Sequence, residues 1–221
     1  AELQFEKAAS PARAVESQIV VGDIPQEPPA FVTRQALDVL AGMAERGDVA
    51  VVCAVTGLRG VGKTQVSAAY ARTRIREGWH LVGWINAGTR ESLLAGLARI
   101  ADRLGVGDPE GDSLESARRL REYLESRVGE GLLVFDNAVS PDRLQPFVPA
   151  AGSVQVVINS TDLTFAAFGV PVEVEAFSRA ESLAYLQKRT GLSDDLGAGI
   201  VADQLGDLPL AMAQAAATIA G

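Results

Sequence analysis

Residues 57–64 read Gly57-Leu58-Arg59-Gly60-Val61-Gly62-Lys63-Thr64 and match G-x-x-x-x-G-K-[ST] at every fixed position. A loop of this pattern works only as the turn between a strand and a helix, so it constrains the fold more than any other feature. Its glycines let the backbone curl until successive N–H groups converge on phosphate oxygens at a helix N-terminus. Lys63 supplies a point charge for the β- and γ-phosphates, and the Thr64 hydroxyl a ligand for Mg2+. The flanks agree with this context. Val49 to Val55 is an unbroken apolar run, the pattern of a strand buried on both faces. Gln65 to Arg76 reads as a helix. Gly57, Gly60, Val61, Gly62, Lys63, Thr64 and Gln65 are therefore the expected binding element for a nucleoside phosphate.

Further apolar runs at 81–86, 132–135, 154–159 and 172–174 alternate with helical patterns at 34–46, 90–104 and 114–128. This alternation predicts a three-layer α/β fold on a central parallel sheet of five strands, with ligands at the strands' carboxyl ends. From Ser178 only helical patterns remain, at about 179–190, 194–205 and 208–220. The expected organisation is a tail and proline-rich linker over 1–28, a nucleotide-binding domain over 29–176, and the start of a helical subdomain over 177–221. The lack of an initiator Met and the helical run at the end read as a piece of a longer protein.

Composition narrows the function classes. Apolar residues make up 48% of the 221, enough for a large core, and charged residues 22%. A net charge of −8 argues against a nucleic-acid surface, which needs clustered cations. Arg72, Arg74 and Arg76 share one predicted helix and Arg118, Arg119 and Arg121 another; both groups read as solvated faces. The single Cys53 excludes an internal disulfide and fits a cytoplasmic chain. No leader pattern and no 18-residue apolar span are visible, so no membrane partner is expected. His80 has no ligand-spaced partner, and Trp79 and Trp84 read as core anchors.

A phosphate loop needs a second acid for its metal. Leu132-Leu133-Val134-Phe135 ends in Asp136, which is expected to act on Mg2+ together with Thr64. The next position is Asn137, whose amide can orient water but cannot accept its proton. Asp136 and Asn137 are thus the catalytic candidates, and slow hydrolysis is expected. No N-K-x-D guanine-reading motif occurs, so an adenine nucleotide, ADP or ATP, is the expected ligand.

The order of these motifs resembles the NB-ARC domain of the STAND class of signalling P-loop NTPases, over about residues 29–221. Pro29-Ala30-Phe31-Val32-Thr33-Arg34 resembles the lead-in to that family's first helix, which implies that Val32 and Arg34 lie beside the adenine. Trp84-Ile85-Asn86-Ala87 resembles its second strand. Gly206-Asp207-Leu208-Pro209-Leu210 resembles its GLPL-type motif, implying that Pro209 packs against the base. Read alone, that last segment is a helix start with Asp207 as N-cap and Pro209 in the first turn. The family commonly carries a γ-phosphate-sensing arginine where this chain has Thr161. The resemblance implies an AAA+-like core and a nucleotide-controlled switch, often linked to tetratricopeptide repeats and to self-association on activation. An active ATPase working in a ring, and a scaffold with a structural ADP, are the alternatives.

Overall fold

A computed structural model of the chain describes residues 17–44, 49–53, 59–127 and 129–220; side chains of Ala44, Val49–Cys53 and Ala166 are not described. Residues 1–16 of the expected tail and linker over 1–28, together with Gly57 and Leu58, lie outside these residues. The elements run β1 (Ile19–Val21), α1 (Gln35–Ala44), β2 (Val49–Cys53), α2 (Lys63–Arg76), β3 (Leu81–Asn86), α3 (Arg90–Arg103) and α4 (Ser113–Ser126). They continue with β4 (Gly131–Ala138), the short α5 (Pro141–Leu144), β5 (Val154–Ser160), β6 (Val170–Glu173), α6 (Arg179–Thr190), α7 (Asp195–Gln204) and α8 (Pro209–Ala220).

The strands form one parallel sheet in the order β1-β3-β4-β5-β2-β6. Among the described residues it has six strands rather than the expected five. The extra one, β1, lies in the segment expected to be tail and linker and pairs in register with β3, Ile19 opposite Leu81. Its three residues, Ile-Val-Val, are too few to show a period, but they are β-branched and suit a sheet edge.

Layering follows from side-chain alternation along the central strands. Ile85, Leu133, Phe135, Val156 and Ile158 face a core built with α3 and α4. Val82, Trp84, Leu132, Val134 and Val157 face the opposite one, built with α1 and α2. Both faces are covered, so the central strands are apolar over most of their length. Trp79 and Trp84 are buried, as core anchors should be. The α6–α8 helices bury a third, smaller cluster around Tyr185, Leu186, Ala202, Met212 and Ala216, against which Ala30 and Val32 also pack.

The arginine groups are engaged within the chain. Arg74 pairs with Glu77 at 2.6 Å, and Arg119 with Asp108 at 3.1 Å. Among the described residues no helix is long and apolar enough to cross a membrane.

One buried polar group ties the sheet to the helices above it. The Gln155 amide on β5 donates to the Leu40 carbonyl at 3.1 Å, and the Tyr70 hydroxyl donates its single proton to Gln155 Oε1 while lying 3.1 Å from the same carbonyl. Tyr70→Phe strands that amide oxygen in the core. The expected cost is about 1–3 kcal/mol of stability, to be read as a lower urea midpoint with unchanged slope.

Candidate functional site

The N-terminus of α2 is built to meet an anion. Gly62 precedes the helix with φ 99°, and no side chain caps it. No acid occupies its first turn. The Val66 N–H returns to the Gly62 carbonyl, while the N–H groups ahead of it point out of the helix. Gly60, with φ 85°, makes the second left-handed turn of the loop. An acid-free helix start beside Lys63 fits a phosphate, because the first N–H groups of a helix and the positive end of its dipole favour an anion. The helix begins at Lys63, two residues before the expected Gln65, so Lys63 and Thr64 sit inside its first turn.

Asp136 is buried at the carboxyl end of β4. Its Oδ1 accepts from the Thr64 hydroxyl at 3.0 Å and from the Asn159 amide at 2.8 Å. Asn159 accepts in turn from the Ser67 hydroxyl at 2.6 Å. The residues Thr64, Asp136, Asn159 and Ser67 thus form one polar chain linking α2, β4 and β5. Thr64 and Asp136 together fit a divalent cation that draws its remaining ligands from phosphates and water. Among the described residues no cluster of three or more His, Cys, Asp or Glu could hold a metal by itself.

Asn137 is the bulged residue of β4, with φ 60°, where the register with β5 shifts before Ala138. Asparagine tolerates that conformation, and the bulge turns it out of the sheet into an exposed position. Its amide lies 3.5 Å from Asp136 Oδ2, a long contact. Asp136 is the only carboxylate among the described residues lining the site.

These groups line a cavity of about 640 Å³, within the range of small-molecule sites. The phosphate-loop end is formed by Gly60 to Gln65 with Asp136, Asn137, Ser160 and Thr161. Much of the remaining lining is apolar: Pro28, Phe31, Val32, Phe177, Tyr185 and Pro209. Val32, Arg34 and Pro209 therefore share one cavity with the loop. Gly57 falls outside the described residues.

Arg34 is held away from the phosphate end. Its guanidinium donates to the Glu175 and Ala176 carbonyls at 2.8 and 3.1 Å and lies 5.2 Å from the Phe177 ring centroid. It also approaches Glu181 at 3.7 Å. Glu181 closes the capping box of α6 with Ser178. Arg34 thus braces the segment between the sheet and the α6–α8 helices.

Asp207 is not the N-cap of α8. It adopts φ 55°, ahead of a helix that starts at Pro209. Its carbonyl accepts from the Phe177 N–H at 2.9 Å, and its carboxylate pairs with Arg179 at 3.1 Å. Closing the turn after α7 outweighs capping here.

Asn159, Phe177 and Tyr185 carry parts of this site and were not expected from the sequence. Asn159 had one signal, a polar residue ending an apolar strand. The two rings had none, since their partners are remote in the chain.

No protein-family model matches the chain. It is similar to the regulatory protein AfsR of Streptomyces coelicolor, 32% identical over 211 residues covering 86% of this chain. The chain spans only 20% of that curated relative's length. Among solved structures it is similar to Cdc6p from Pyrobaculum aerophilum, with TM-score 0.60 and 18% identity over 84% of this chain and 62% of that one. It is also similar to a Signal Transduction ATPase with Numerous Domains (STAND) with a tetratricopeptide repeat sensor from Pyrococcus horikoshii. There the TM-score is 0.57 and the identity 13%, over 90% of this chain and 30% of that one. The fold is that of an α/β P-loop NTPase.

Asn159→Ala would leave Asp136 and Ser67 without their bridge. Calorimetric titration with ADP, with and without Mg2+, is expected to show a loss of roughly 10-fold or more, confined to the Mg2+-dependent part. An equal loss in both conditions would count against this role.

Proposed function

We propose that the chain is the adenine-nucleotide switch of a STAND-type signalling regulator, NB-ARC-like in organisation, with weak or absent ATP hydrolysis. The observation that carries this reading is the seam at the cavity. The phosphate loop and the α6–α8 helices meet there, and the Leu210 N–H donates to the Gly60 carbonyl at 3.1 Å. A nucleotide in the cavity would touch both bodies. ADP and ATP would then favour different arrangements of them through different contacts at that seam, the only way a ligand can shift such an equilibrium. ADP would hold the closed arrangement, and exchange for ATP would open it toward self-association. The likeness to a regulatory protein and to a STAND ATPase supports this choice among P-loop functions.

Each residue has a separable task. The loop amides and Lys63 bind the polyphosphate, while Thr64 and Asp136 hold Mg2+, which neutralises part of its charge. The apolar wall from Val32 to Pro209 receives the base. Asp136 is committed to the metal side, and Asn137 cannot take a proton from water, so the bound triphosphate persists.

Lys63→Ala is expected to weaken both ADP and ATP by roughly 10- to 100-fold in calorimetric titration, the scale of a charge-assisted contact. Unchanged affinity would remove the proposed site. Steady-state turnover of the unmodified chain is expected to stay well below about 1 s⁻¹, under the ordinary enzyme range. A rate at or above that value would favour a motor-like ATPase and overturn the reading of Asn137.

A further inference from the structure

Arg34, Arg59 and Lys63 are the cations among the described residues lining the cavity. Arg34 is occupied at the linker end by two carbonyls, Glu181 and the Phe177 ring. Arg59 is exposed, and among the described residues no hydrogen bond, ion pair or ring contact engages its guanidinium. It sits within the phosphate loop itself, next to the left-handed turn at Gly60. It lines the same cavity as Asn137 and Thr161, whose side chains are short and uncharged. A third phosphate would bring added negative charge into a region where the only described carboxylate is Asp136 and the uncommitted cation is Arg59. A planar guanidinium suits phosphate oxygens, which it can meet with paired N–H donors.

We propose that Arg59 reads the terminal phosphate, contacting the γ-phosphate of a nucleoside triphosphate and setting the preference of the site for triphosphate over diphosphate. This deepens the nucleotide-switch reading and rests on it. Arg59 supplies this contact from within the loop itself. Its position also joins it to the seam. The adjacent Gly60 carries the carbonyl that holds Leu210, and a Cβ placed on Gly60 would lie only 3.1 Å from Leu210 Cβ. A pull on Arg59 by a third phosphate therefore acts one peptide unit from the contact between the two bodies.

Calorimetric titration of the whole chain with Mg-ADP and with the non-hydrolysable Mg-β,γ-imido-ATP tests this in the parent, Arg59→Ala and Arg59→Lys. Arg59→Ala is expected to weaken the imido analogue about 10-fold and ADP less than about 2-fold, with partial recovery in Arg59→Lys. The parent's preference for the analogue should shrink as salt is raised. Equal weakening of both nucleotides would mean that the substitution only distorts the loop, and an unchanged ratio would mean no contact; either result overturns the proposal. A parent that binds neither nucleotide refutes the nucleotide site itself. A parent that binds both, with a ratio untouched by Arg59→Ala, refutes the role of Arg59 alone.

Discussion

The Asp136 carboxylate anchors the polar architecture of this fold. A buried carboxylate is costly unless donors satisfy it, and here hydrogen bonds from Thr64 and Asn159 converge on one of its oxygens. Those donors come from different elements, α2 and β5. Because β5 lies between the loop strand β2 and β4, its last residues span the gap between the phosphate loop and the acid. Ser67 extends the chain one turn further along α2. The helix that starts the phosphate site is thereby registered against the sheet by directional bonds as well as by packing. Apolar contacts alone would allow α2 to slide; a hydrogen-bonded chain of this kind does not.

A second set of interactions joins the sheet to the α6–α8 helices, and it is more polar and more exposed. Arg34 grips the backbone after β6 and reaches the capping-box glutamate of α6. The Phe177 N–H bonds to the turn at Asp207, and the Leu210 N–H bonds to the loop at Gly60. The apolar core of this region is small beside the two cores that flank the sheet. A small apolar cluster and several bonds to main-chain carbonyls are the marks of a locally less stable region.

The phosphate loop, the central strands, the long helices and Asp136 were legible because each leaves a local mark: a fixed spacing, an apolar run or a helical period. Pro209 and Val32 were placed by resemblance to a family rather than by any local pattern. What escaped needed knowledge of who neighbours whom. Asn159 matters because β5 separates β2 from β4, and strand order is not written in any window of residues. Phe177 and Tyr185 meet residues near position 30 only through tertiary packing. β1 escaped for a different reason, since three residues cannot display alternation. Asp207 was misread because a cap and a left-handed turn use the same residue types, and only the backbone distinguishes them.

The apolar wall of the cavity is assembled from opposite ends of the chain, with Pro28, Phe31 and Val32 on one side and Phe177, Tyr185 and Pro209 on the other. The grip on phosphate, by contrast, is nearly local, concentrated in one turn and the strand ends beside it. On the nucleotide-switch proposal the two halves of recognition are therefore separable: a piece trimmed to the sheet and its flanking helices would retain the turn offered to an anion yet lose the greasy slot offered to a base.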